Sequence, residues 1–216
     1  MSTAFHRSTD GVLIIPAAHP HFPLTLRDRT RSILWEFQLQ FLEKAKEKLE
    51  QPLSDNFIRK KVEDSVYEAY LAKKLAEEGL IRNACGKAFQ AWKDLLSALL
   101  YLKKEEIVKL LDDKQREWLL EKGIYAPSSR LSPLSKLLEE VGVEDVTPWT
   151  AEALRLHTYQ YHGPDPEGLW GGPVDKEDAK EHLELLLKKW KEYLEKYLGN
   201  YLNEELREVL NKISNA

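Results

Sequence analysis

The stretch AKKLAEEGLIRNACGKAFQAWKDLLSAL, residues 72–99, decides the fold. Its small and apolar residues return every three or four positions. Ala72 and Ala76 continue a series begun at Val62, Val66 and Ala69, which predicts an amphipathic helix. Glu78-Gly79 interrupts it, because glycine ends helices. From Leu80 a new helix runs to about Leu102, with Ala84, Ala88 and Ala91 on one face, small enough to let a neighbouring helix come close. Two long helices joined by so short a turn form an antiparallel hairpin. Alternating apolar and polar positions, the mark of a half-buried strand, are absent from the stretch.

The same period extends outward. Leu34, Phe37, Phe41, Ala45 and Leu49 predict a helix over about 28–50, ended by Pro52, with Ser54 placed to cap the next. Downstream, short helices are predicted at about 104–122 and 133–141, the second with a Ser132 cap and Pro133 in its first turn. Thr147-Pro148 repeats that device. The loop GPDPEGLWGGP, residues 163–173, is the clearest break. Asp175 then caps a long helix to about Leu198, striped by Leu183, Leu186, Trp190, Leu194 and Tyr197, and a short helix follows Asn203. Residues 1–23 differ: the prolines of GVLIIPAAHPHFP forbid a helix, so an extended arm or a short strand at Val12–Ile15 is expected. The reading is an all-α, up-and-down helical bundle of one domain over 24–216 with an extended N-terminal arm.

The 216 residues carry 43% hydrophobic and 31% charged residues, which suits a packed, water-facing domain and excludes disorder throughout. A formal charge of −4 does not mark a nucleic-acid coat, although a local basic cleft is compatible with it. The single cysteine, Cys85, excludes a disulfide framework and a cysteine-rich zinc site within the chain. A reducing, cytoplasmic setting is expected, with no signal peptide and no membrane-spanning run. Abundant Lys and Glu beside one Cys and one Met fit a thermophile. His19 and His21 alternate as a metal pair would on a strand, but no further ligand stands at a recognisable spacing, so they are read as loop and no metal or cofactor is expected.

The least typical helical text is RLHTYQYHG, residues 155–163. At 3.6 residues per turn Arg155, Tyr159 and His162 share one stripe, and His157 and Tyr161 a second beside Leu154. Histidine serves as acid or base near neutrality, arginine is a fixed fork for phosphate oxygens, and tyrosines stack on bases. The pattern suits phosphate chemistry or nucleotide binding. It equally suits a packed helix whose Tyr and His keep their polar tips at the rim. A second constellation, RNACGKAFQAWK, contains Arg82 and Lys87, with Lys87, Gln90 and Asp94 along one polar edge. There the alanines, Phe89 and Trp92 are expected to pack, the charges to be solvated, and Cys85 to be inert core. Gly86 stands alone and makes no glycine-rich loop. No GxSxG marks a serine hydrolase.

Residues 72–99 and the later ALRLHTYQYHG, residues 153–163, resemble the archaeal PaREP family, over about 60–200. That family is similar in fold to the HEPN superfamily: helical bundles that dimerise, found as ribonuclease toxins and as nucleotide- or substrate-binding partners of nucleotidyltransferases. The resemblance implies a HEPN-like homodimer, an expectation to which the dispersed Trp35, Trp92, Trp170 and Trp190 add. HEPN ribonucleases carry an Arg, four to six residues, and a His. Arg155 and His162 meet that spacing, with Leu156 where a polar residue is usual; after Arg82-Asn83 no His follows, and Lys87, Ala88 and Phe89 stand there instead. A ribonuclease of this kind would use His162 to assist a 2′-hydroxyl and Arg155 to stabilise the phosphorane, without metal, the second protomer completing the site. The preferred reading is non-catalytic: a nucleotide, RNA or protein partner, a nucleotidyltransferase included, is held in an inter-helix or dimer cleft by Tyr159, His157, Tyr161, Arg82 and Lys87. A scaffold without ligand is the third.

Overall fold

The computed structural model describes residues 53–214. Among them there is helix and loop and no strand, as expected of an all-α chain. The arm expected at 1–23 and the helix expected at 28–50 lie outside the described residues. Helix α1 spans Leu53–Glu77 and α2 spans Ile81–Leu102. Between them the chain closes in a Schellman turn: Leu80 N donates to Leu75 O (2.9 Å), Gly79 N donates to Ala76 O (2.9 Å), and Gly79 takes φ 74°. The hairpin is the one read from the sequence, and Ala84, Ala88 and Ala91 are all buried in it.

Helix α2 is the axis of the bundle, packed against α1 and the later helices. Two buried tryptophans beside it are each tied by a hydroxyl. Trp190 Nε1 donates to Ser65 Oγ (2.7 Å), and Ser65 Oγ donates in turn to Ala91 O (2.7 Å). Trp92 Nε1 donates to Thr150 Oγ1 (3.0 Å), which donates to Val146 O (2.8 Å). These bonds satisfy the one polar atom of each indole inside the core.

The remaining elements are short until the chain returns to long helices. They are α3 (Lys104–Ile107), a 3-10 turn at Val108–Leu110, α4 (Asp113–Glu121), α5 (Leu131–Glu140), α6 (Val146–His162), α7 (Lys176–Leu198) and α8 (Glu204–Ser214). The break expected over 104–122 falls at Asp112, which caps α4 in a reciprocal box with Gln115. Asp175 caps α7 as expected, accepting from Asp178 N at 2.8 Å. Two other caps are corrected. Arg130, not Ser132, stands before α5, and Asp145 stands before α6, so Thr147 is inside that helix. Pro133 and Pro148 thus occupy the third helical position. No N–H there has an intrahelical partner, so proline costs nothing, and each helix begins two residues earlier than a first-position proline would put it.

The polar edge of α2 is not the solvated face that its spacing suggested. Asp94 is 4% exposed and takes bonds from Lys61 Nζ (2.6 Å) on α1 and Gln90 Nε2 (3.0 Å). Lys87 pairs with Glu68 of α1 at 2.9 Å. Asp64, 3.9 Å from Lys61, closes this seam. Burial, with Asp94 adding repulsion, raises the Asp64 carboxyl to about 6. A raised carboxyl favours the protonated native state. Its contribution is full below the unfolded value of 3.8 and is lost as pH rises towards about 6. Asp64→Asn, which removes the buried charge, is expected to be on the order of 1–2 kcal/mol more stable than wild type at about pH 8, with the difference vanishing near pH 4. Thermal melts of both proteins across that range check it; a pH-independent difference, or a loss, contradicts it.

Candidate functional site at the end of α6

Helix α6 puts Ala153, Leu156 and Tyr159 into the core and leaves Tyr161 and His162 exposed at its last turn. Tyr159 is only 2% exposed, so it does not join the accessible stripe expected with Arg155 and His162. The one-face arithmetic was right in angle. What it missed is that the core face of α6 is set by Ala153 and Leu156, three and six residues before Tyr159.

The last turn is held from α2. Arg82 donates to Gln160 O (2.9 Å) and Tyr161 O (2.7 Å) through Nη2, and to Gln160 O through Nε (3.3 Å). These are carbonyls that the helix end leaves without partners, and a guanidinium there also meets the negative end of the helix dipole. Arg82, expected as a ligand contact, is thus engaged as a cap. His157 stacks on Phe89 of α2 (centroids 3.8 Å apart, 17°) and its Nδ1 lies 3.2 Å from Gln160 Oε1. Burial pushes its imidazole below the usual histidine range. Cys85 lies beneath, its thiol pushed up to about 12 by burial, unreactive core as expected.

Arg155 and His162 have separate partners. Arg155 reaches across to α7, donating from Nη1 to His182 Nε2 (2.9 Å) and from Nη2 to Asp178 Oδ2 (3.3 Å). Because a guanidinium only donates, His182 Nε2 must accept and its proton sits on Nδ1, 2.7 Å from Glu152 Oε1. Asp178 Oδ2 also accepts from Val174 N (2.8 Å), so this cluster fastens the end of the 163–173 loop. His162 instead stacks on Trp170 of that loop, with centroids 4.6 Å apart and planes 10° from parallel.

The loop is built around Asp165. This buried carboxylate accepts from the backbone N–H groups of Leu169 (2.8 Å), Trp170 (2.9 Å) and Gly172 (3.1 Å), while Asp165 N donates to Pro173 O (2.9 Å). Burial pushes the Asp165 carboxyl up, but the N–H groups of Trp170, Gly172, Leu169 and Gly171 outweigh it and hold the group below the usual carboxylate range. Gly168 and Gly171, at φ 69° and 70°, make the two reversals that flank Leu169-Trp170. The product is a fixed loop that holds Leu169 and Trp170 out in water at 67% and 57% exposure, beside Tyr161 at 65%. Trp92 and Trp190 are core, so of the described tryptophans counted towards a dimer only Trp170 offers surface.

Sequence reasoning missed Asp165, Trp170 and the Glu152–Asp178–His182 group. Signals existed: Asp followed by closely spaced glycines marks a side-chain-organised turn, and Asp178 and His182 stand four apart on a helix. A separate hollow of about 140 Å³ lies near the other end of α6, between Trp149, Lys189, Tyr193 and Lys196. Lys196 is paired with Glu144 there (2.7 Å) and Tyr193 donates to Glu144 O (2.6 Å), so its polar groups serve one another.

The fold and this site define an all-α protein with a prebuilt aromatic loop beside a capped helix end. The model of the archaeal PaREP1/PaREP8 family matches residues 60–187, more than half of the chain, and the protein belongs to that family. The matched span runs from α1 into α7 and takes in the whole site. No curated protein and no solved structure matches the chain. Among the described residues no helix is long and apolar enough to cross a membrane.

Asp165→Ala is expected to leave the helical content unchanged and to open the 163–174 segment to limited proteolysis, because three backbone donors lose their acceptor. Unaltered resistance in the variant counts against Asp165 as the organiser.

Proposed function

We propose that this protein is a HEPN-like helical binding module that holds a partner without cleaving it, and that the partner meets the exposed end of α6 and the loop behind it. The observation that carries this reading is the His162–Trp170 stack, presented to solvent beside Tyr161 and Leu169 by a loop fastened on Asp165. Fixed loops that display large apolar side chains serve recognition, since exposing such surface has no benefit to folding.

The nuclease alternative keeps two supports: the Arg155–His162 spacing and the exposure of His162. Against it, the charge of Arg155 is compensated by Asp178, whereas phosphorane stabilisation draws on positive charge directed at the reacting phosphate. His162 has one ring face on Trp170 and no cation bonded to it from α6.

Purified protein incubated with a pool of single-stranded and structured RNAs, with and without a chelator, is expected to leave them intact. A positioned acid or base is worth about 10²–10⁴-fold in rate, so cleavage by the wild type that disappears in His162→Ala overturns the non-catalytic reading in favour of this site. Cleavage that persists in His162→Ala overturns it too, and moves the chemistry elsewhere.

A further inference from the structure

The surface at the end of α6 has a sign, and the sign selects among partners. Residues 161–180 hold five carboxylates and two lysines. Glu167, Asp175 and Glu177 are exposed around Leu169, Trp170 and Val174. The carbonyl end of α6 adds partial negative charge, and Arg82 is already committed to those carbonyls. A phosphate backbone or an anionic lipid surface meets repulsion here, where nucleic-acid binders place Lys and Arg. A second copy of the chain docking the same surface across a two-fold axis sets carboxylates against carboxylates.

What remains favourable is apolar contact ringed by opposite charge. Trp170 has one face on His162 and is still 57% exposed, which leaves indole surface for an aliphatic or aromatic side chain or a guanidinium. The loop is preorganised, so little ordering entropy is lost on docking. We infer that Tyr161, Leu169, Trp170 and Val174 dock a segment of another protein that brings one or two bulky apolar side chains flanked by lysine or arginine. This rests on the non-catalytic binding reading and names the partner for the same surface.

Three synthetic peptides of equal length test it: Trp and Leu anchors flanked by Arg and Lys, the same anchors flanked by Glu, and the basic residues with Ser in place of the anchors. Each is titrated into isotope-labelled full-length protein and followed by amide shifts. The basic, anchored peptide is expected to bind about tenfold or more tightly than either control, to shift amides within 161–174, and to weaken as salt rises. Leu169→Ser with Trp170→Ser is expected to cost about tenfold or more in its affinity, the size of an anchor truncation. Glu167→Gln with Glu177→Gln is expected to weaken it without moving the footprint. Single-stranded RNA, phosphatidylglycerol vesicles and concentration-dependent light scattering run alongside. If RNA, vesicles, self-association or the acidic peptide is the interaction that depends on Leu169 and Trp170, the basic-segment inference is overturned while the binding reading stands. If no probe responds to the double serine variant, both fall.

Discussion

Helix α2 has little contact with water, and that confinement sets the positions of everything else. Fourteen of its 22 residues are buried, including Asp94 and Ser97, so it must find neighbours on nearly every side. Small residues let α1 approach, and Ser65 joins that contact to α7 through Trp190. Thr150 does the same for α6 through Trp92. Because both indoles have a single donor and each donor has a single hydroxyl, the helices are fixed in rotation as well as distance. A functional surface at the end of α6 is only as rigid as this arrangement beneath it.

The same helix then positions the site directly. Arg82, in the first turn of α2, holds the last carbonyls of α6, and Phe89, two turns on, holds His157. Gly86 lies between them, and a side chain there would collide with the Gln160 amide. These contacts leave the outer side of the α6 terminus open, and the Asp165 loop fills part of that opening with Trp170. The Arg155–Asp178–His182 cluster ties the loop's exit to α6 and α7, so the loop is held at both ends by groups that take no part in the exposed surface.

The fold was legible because periodicity and helix stops are local. The α1–α2 hairpin follows from Gly79 and the spacing of alanines, and α7 from Asp175 and its leucines. The starts of α5 and α6 were displaced by two residues because proline is tolerated anywhere in a first turn, which a sequence does not resolve. The site was less legible. Whether Arg82 binds a ligand or caps a helix 78 residues away is a tertiary matter, and so is the choice of Tyr159 for the core. Asp165 reads as one more polar loop residue until its carboxylate is seen with Leu169, Trp170 and Gly172 donating to it.

The account turns on the claim that the loop is a built platform rather than a slack connection. Residue-resolved hydrogen exchange of the backbone amides of Leu169, Trp170 and Gly172 measures this directly. The Asp165 bonds predict that all three exchange slowly, at rates like those of the capped ends of α4 and α7, and that they quicken together once acid protonates the carboxylate. Exchange at the rate of an unstructured peptide near neutral pH contradicts the platform and, with it, the recognition surface built on it.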